Sequence, residues 1–210
     1  MKTLTILSLA ATLAGTTAFA ADMRTSGINT HPATGGVNAV DGAMARMVDV
    51  DGGVFVDFDT NGLTPGHVHT MWFVTIANPA ACATAPCSGK DVLTNAAAIQ
   101  ADVGYASGAI ASPDGNATFA YFQADGELIN PWFGAGMTDG ATSEIHLVIQ
   151  SHGPIIQGRE EAMLTSFRDG CADESITAPY PATALVDGEP GPNTCGLVQF
   201  SIFTPADASS

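Results

Sequence analysis

Short stretches of period-two alternation, closed by glycine or proline, constrain this chain more than any other feature. From His67 to Ile76, the residues Val68, Trp72, Val74 and Ile76 alternate with His67, His69, Met71 and Phe73. From Glu144 to His152, Ile145, Leu147 and Ile149 alternate with Glu144, His146, Val148, Gln150 and His152. Side chains of a strand project to opposite faces in turn, so each stretch reads as a β-strand with its histidines on one face. Four of the five histidines of the chain lie in these two stretches. If the two strands are neighbours, the imidazoles converge.

The rest of the chain repeats the pattern in shorter pieces. Ala43 to Asp49 and Val54 to Asp59 read as strands joined across Asp51-Gly52-Gly53, a hairpin signal. Tyr105 to Ala111 and Asn116 to Ala124 form a second hairpin around Ser112-Pro113-Asp114-Gly115. Leu197 to Phe203 is a last strand of β-branched and aromatic residues. Asp91 to Ala101 is Ala-rich and reads as a helix that Asp91 either caps or charges in its first turn, and Arg159 to Phe167 fits helix or strand. From Asp22 to Asp41 the chain is rich in Gly, Asn and Thr and reads as a loose N-terminal arm or a first loose strand. The expectation is an all-β fold: an antiparallel β-sandwich or barrel with one short helix and two disulfides.

The first residues carry an address. Met1-Lys2, the apolar run Leu4 to Ala14, and Ala18-Phe19-Ala20 before Ala21 have the layout of a secretory signal peptide over residues 1–20. A single domain over 21–210 then remains, with a periplasmic or secreted location. The apolar run is too short to span a bilayer, and no later stretch is longer, so no membrane span is expected. Four cysteines suit an oxidising compartment. Proximity favours pairing Cys82 with Cys87 and Cys171 with Cys195, whereas the wide second spacing lacks the form of a zinc knuckle. Charge narrows the partners. With 21 Asp and Glu against six Lys and Arg, the field repels nucleic acid and anionic surfaces and attracts cations.

Chemistry concentrates at the histidines. Neutral imidazole is a ligand for copper and zinc, and two histidines two apart on a strand lie about 6.5–7 Å apart and lean to one side. His67, His69, His146 and His152 form the candidate metal set. Met71, on the face of His67 and His69, tilts the preference to copper over zinc, because soft thioethers select Cu(I). Glu144, on the face of His146, can ligate, orient an imidazole or act as a general base, and His152 can donate a proton. An open coordination position makes such a site an oxidoreductase or metal-assisted hydrolase; a closed one makes it a metal carrier. His31 lies in the arm and is left out of the set.

Gly62-Leu63-Thr64-Pro65-Gly66 followed by His67-Val68-His69 resembles the turn and copper-binding strand of Cu/Zn superoxide dismutases. The same His-x-His, with a later histidine on another strand, also resembles the first motif of cupins. No histidine lies between His69 and His146 where the dismutase zinc loop would stand, and Phe73 and Val74 occupy the place of the cupin Glu. Both are likenesses of architecture. Two other readings remain open. One is a non-catalytic secreted module that holds a small molecule on Trp132 and Phe133 of Pro131-Trp132-Phe133-Gly134. The other is a metal-free acid/base pair of Glu144 with His146 or His152. Asp57 to Gly62 has the first half of a calcium loop, but Val68 stands where its bidentate Glu belongs. Nucleotide-binding and serine-hydrolase motifs are absent.

Overall fold

A two-residue turn at Asp51-Gly52 sets the first hairpin: Val50 pairs with Gly53, and Gly52 takes the left-handed φ of 80° that such a turn requires. The computed structural model describes residues 23–177 and 179–205, so the signal-peptide reading falls outside the described residues. Within them, nine strands form one antiparallel sheet: β1 (Met23–Thr30), β2 (Ala39–Val50), β3 (Gly53–Thr60), β4 (His67–Ile76), β5 (Ala101–Ile110), β6 (Ala117–Ala124), β7 (Ile129–Phe133), β8 (Glu144–Pro154) and β9 (Gly196–Phe203). Their order across the sheet is β6-β3-β2-β1-β9-β8-β4-β5-β7. Edge strand β6 also touches β5 near the opposite edge, so the sheet curls into a half-barrel.

Curling gives the sheet an inside and an outside, and each carries its own core. Inside, Met47, Val56, Phe58, Phe119, Leu147 and Phe203 from five strands meet. Outside, Trp72, Val74, Ile76 and Val103 pack under the connecting segments, with Trp132 and Phe167. Each such side chain, fully buried, contributes about 1.5–3 kcal/mol of transfer free energy. Both expected disulfides are present: Cys82–Cys87, and Cys171–Cys195 across a separation of 24 residues. They staple the segments that cover the outer core.

Several local expectations are corrected. There are three short helices among the described residues instead of one: α1 (Gly89–Ile99), α2 (Glu160–Thr165) and α3 (Ala182–Leu185). Ser88, not Asp91, caps α1; its hydroxyl accepts the Asp91 N–H, while the Asp91 carboxylate accepts the Ser88 N–H, a reciprocal capping box. Gln100 ends the helix in the left-handed conformation, so Ala101 opens β5. Of the arm and loose-strand readings of residues 22–41, the strand holds: the stretch contains β1, which is interior, between β2 and β9. Only Ile28 of that strand is fully buried, so no apolar alternation marked it; ladder hydrogen bonds hold it instead. Pro131-Trp132-Phe133 belongs to edge strand β7.

Candidate functional site

The two histidine strands are neighbours. β4 and β8 pair antiparallel along their whole length, with His146 opposite Val74, Gln150 opposite Thr70, and His69 opposite Ser151. Directly opposed residues share a face. His146 therefore lies on the outer face with Trp72, Val74 and Ile76, whereas His69 lies with Met71 and Phe73 on the inner one. Five residues of β4 also separate the His69 and His146 positions, roughly 16 Å along the strand. The structure does not bring the four imidazoles together.

Each histidine instead has its own setting. His67, half-buried at the start of β4, stands opposite Pro154. His69 is buried, and its Nδ1 lies 3.1 Å from the His67 carbonyl. A carbonyl only accepts, so Nδ1 carries the proton and Nε2 keeps its lone pair. Burial, with the neighbouring His67 and His152, lowers the His69 pKa to about 4, so the ring is neutral at pH 7.

His152 is fully buried, on the side of the sheet under the loop after α2. A bulge makes it the extra residue between Ser151, which pairs with His69, and Gly153, which pairs with Val68. Its Nδ1–H donates to the Asp169 carbonyl at 3.0 Å, and its Nε2 accepts from the Thr70 hydroxyl at 2.9 Å. Thr70 in turn accepts the Trp72 indole N–H at 3.0 Å. Burial pushes the His152 pKa down to about 4. Both nitrogens are committed, which suits a structural clasp better than an exposed proton donor. His152 also belongs to a buried group with Cys171 and Cys195, whose ligand atoms lie within 4.8 Å of one another and could hold a metal. The two sulfurs are joined as a disulfide, so neither is a free thiolate.

His146 is set differently. Its Nε2 lies 2.6 Å from Oε1 of Glu144, which also accepts the backbone N–H of Cys87 at 2.8 Å. Both side chains are buried, at 6% and 3% exposure for His146 and Glu144. An oxygen receiving two donors acts as a carboxylate, so Nε2 carries a proton, and in the neutral imidazole Nδ1 is the acceptor. Among the described residues Nδ1 has no hydrogen-bond partner. The arrangement is a carboxylate-oriented imidazole, able to accept a hydrogen bond or a proton from a bound molecule.

That imidazole lines a pocket of about 80 Å³ walled by Trp72, Trp132, Tyr180, Leu93 and His31. The aromatic rings contact one another: Trp72 and Trp132 have centroids 4.9 Å apart, and Trp132 stands edge-on to Tyr180 at 5.7 Å. The indole N–H of Trp132 is buried with no partner among the described residues. Burial lowers the His31 pKa and raises that of Tyr180. The disulfide Cys82–Cys87 anchors this site, because the Cys87 N–H holds Glu144 while α1, which follows, supplies Leu93 and Val92 to the wall.

The Glu144–His146 pairing was legible from their positions two apart on one strand face. His31, Trp72 and Tyr180 were not assigned to a site. They converge from β4 and from two segments that share no sequence pattern. Trp132 and Phe133 separate: Trp132 is buried in the outer core, while Phe133 is half-buried beside a second cleft. No helix among the described residues is long and apolar enough to cross a membrane. No protein-family model, curated protein or solved structure matches this chain.

Proposed function

We propose that this chain is an exported, disulfide-bonded β half-barrel that binds a small neutral ligand in the aromatic pocket over His146. The observation that carries the reading is the buried Glu144–His146 pair at 2.6 Å in the wall of an aromatic pocket. A structural histidine uses both nitrogens, as His152 does, whereas the free Nδ1 of His146 suits a hydroxyl or other acidic proton of the ligand. Apolar walls disfavour a charged ligand, which would lose its hydration there. Two disulfides support a periplasmic or secreted location.

Both tryptophans of the chain, Trp72 and Trp132, line the pocket, so their fluorescence reads occupancy directly. A panel of small alcohols, phenols and ketones should contain members that shift the emission saturably. His146→Ala should weaken binding of hydroxyl-bearing members about tenfold, the worth of one hydrogen bond of ~1.4 kcal/mol. An emission spectrum indifferent to the whole panel overturns the reading.

A second reading has its own observation. His69 is a neutral imidazole whose Nε2 has no hydrogen-bond partner among the described residues, beside His67 and on the face of Met71, a donor set that favours copper over zinc. His146 and His152 then serve other roles. Metal analysis of protein taken from its native compartment should find about one copper per chain, lost in His67→Ala/His69→Ala. Metal-free protein that takes up none on titration excludes this reading and leaves the pocket untouched.

A further inference from the structure

We propose a second binding site, for an organic ammonium cation, in the cleft between the C-terminal half of α1 and the turn after β7. This cleft has a volume of about 510 Å³ and shares no lining residue with the His146 pocket. Ligand clefts commonly hold ~300–1,000 Å³. Ala96, Ala97 and Ala101 make its apolar wall, Phe133 adds an aromatic one, and Asp102 supplies a carboxylate.

Asp102 is only 7% exposed. Its Oδ1 accepts the Gly136 N–H at 2.6 Å, while Oδ2 has no hydrogen-bond donor among the described residues. The turn is built tightly around this group: at Gly134, with φ of +106°, a Cβ would overlap the carboxylate. Directly across the ladder, Thr75 has a buried hydroxyl with no partner among the described residues.

No cation of the described chain answers that charge. Arg24 pairs with Asp49, Arg46 with Asp57 and Asp59, Arg159 with Asp169, and Arg168 with Asp173. Lys90 sits in the first turn of α1, whereas the cleft lies along Ala96, Ala97 and Gln100. A buried carboxylate without a counter-charge is unfavourable, and an external cation relieves it.

The walls decide which cation. A divalent metal needs six or so oxygen ligands, and the cleft offers one carboxylate amid alanine and phenylalanine. An ammonium with hydrocarbon substituents fits both parts: its charge meets Asp102, and its apolar groups meet the alanines and the Phe133 ring. Gln100 and Thr138 at the rim supply oxygen acceptors for a primary ammonium. The net charge of −15 raises the local concentration of such cations.

The test is calorimetric titration of the whole folded protein with benzyltrimethylammonium and benzylamine, and with phenylacetate as the anionic comparison, which the apolar His146 pocket disfavours as well. Saturable binding of the two cations, at least tenfold tighter than the anion, is expected. Asp102→Asn keeps an oxygen for the Gly136 N–H and removes the charge, so it should weaken cation binding tenfold or more. Ala97→Phe fills the exposed side of the cleft with Asp102 intact, and should abolish binding even if Asp102→Asn folds poorly. Absence of saturable cation binding overturns the proposal. Equal binding of phenylacetate, or unchanged cation binding in Ala97→Phe, does the same. Because the two sites share no wall, His146→Ala should leave this titration as it is.

Discussion

His69 and His146 lie on adjacent paired strands, are both buried, and yet belong to different parts of the molecule. His69 looks into the mouth of the half-barrel beside Met71 and Phe73, bonded to a backbone carbonyl. His146 looks outward beneath the stapled segments, bonded to a carboxylate. The contrast teaches that alternation assigns a histidine to a face but not to a chemistry. The partner on its other nitrogen does that: a carbonyl demands a proton at Nδ1, and a carboxylate anchors the ring to present a lone pair.

Acid should separate these settings first. His69 and His152 have pKa values lowered to about 4, so between an unfolded value near 6.5 and that point the unfolded chain binds more protons. Stability should therefore fall as pH drops through this window, by up to about 3 kcal/mol for each group. Denaturant titrations at pH 7 and pH 4.5 measure the loss. His152→Gln should remove about half of the loss attributable to these histidines, and an unchanged pH slope in that variant breaks the assignment.

The staple over the outer face comes next. Replacing both Cys171 and Cys195 by serine opens a loop of 24 residues and should lower stability by about 3 kcal/mol, against about 2 for the shorter Cys82–Cys87 loop. The ranking reverses at the pocket. The Cys82–Cys87 variant should disturb tryptophan fluorescence more, because Cys87 holds Glu144.

Glu144→Leu sharpens the comparison at one residue. It leaves the Cys87 N–H and the His146 Nε2–H without their acceptor, at a loss of about 2 kcal/mol. Thermal unfolding measures that change, and Glu144→Gln, which keeps a carbonyl acceptor, should recover much of it. His67→Ala, at the half-buried start of β4, should change stability by less than about 0.5 kcal/mol and leave the pocket fluorescence as it was.

Much of the sheet was legible in the chain because strand patterns are local. The β4 and β8 alternations, the Asp51-Gly52 turn and the Cys82–Cys87 pair each announced themselves within a dozen residues. β1 was legible only as an arm or a loose strand, since Thr, Ser and Gly carry no burial period, and an interior strand can be held by its ladder alone. α1 was found but set two residues too late at each end, because its Ser88 cap lies upstream of the Ala-rich run. At the candidate site, Glu144 with His146 was readable as one strand face, while Trp72, Tyr180 and His31 reach the pocket from distant parts of the chain.

Period two, set by the geometry of the extended backbone, determined by itself that His67 and His69 share a face, and that Glu144 and His146 share one. It could not say which face of one strand meets which face of the other. Register decides that, and a shift of one residue would have exchanged them. The tertiary fold chose the pairing of Val74 with His146, inserted His152 as a bulge, and curled the sheet so that the two faces became separate interiors. Packing on both sides of the sheet, which no local stretch encodes, fixed that choice.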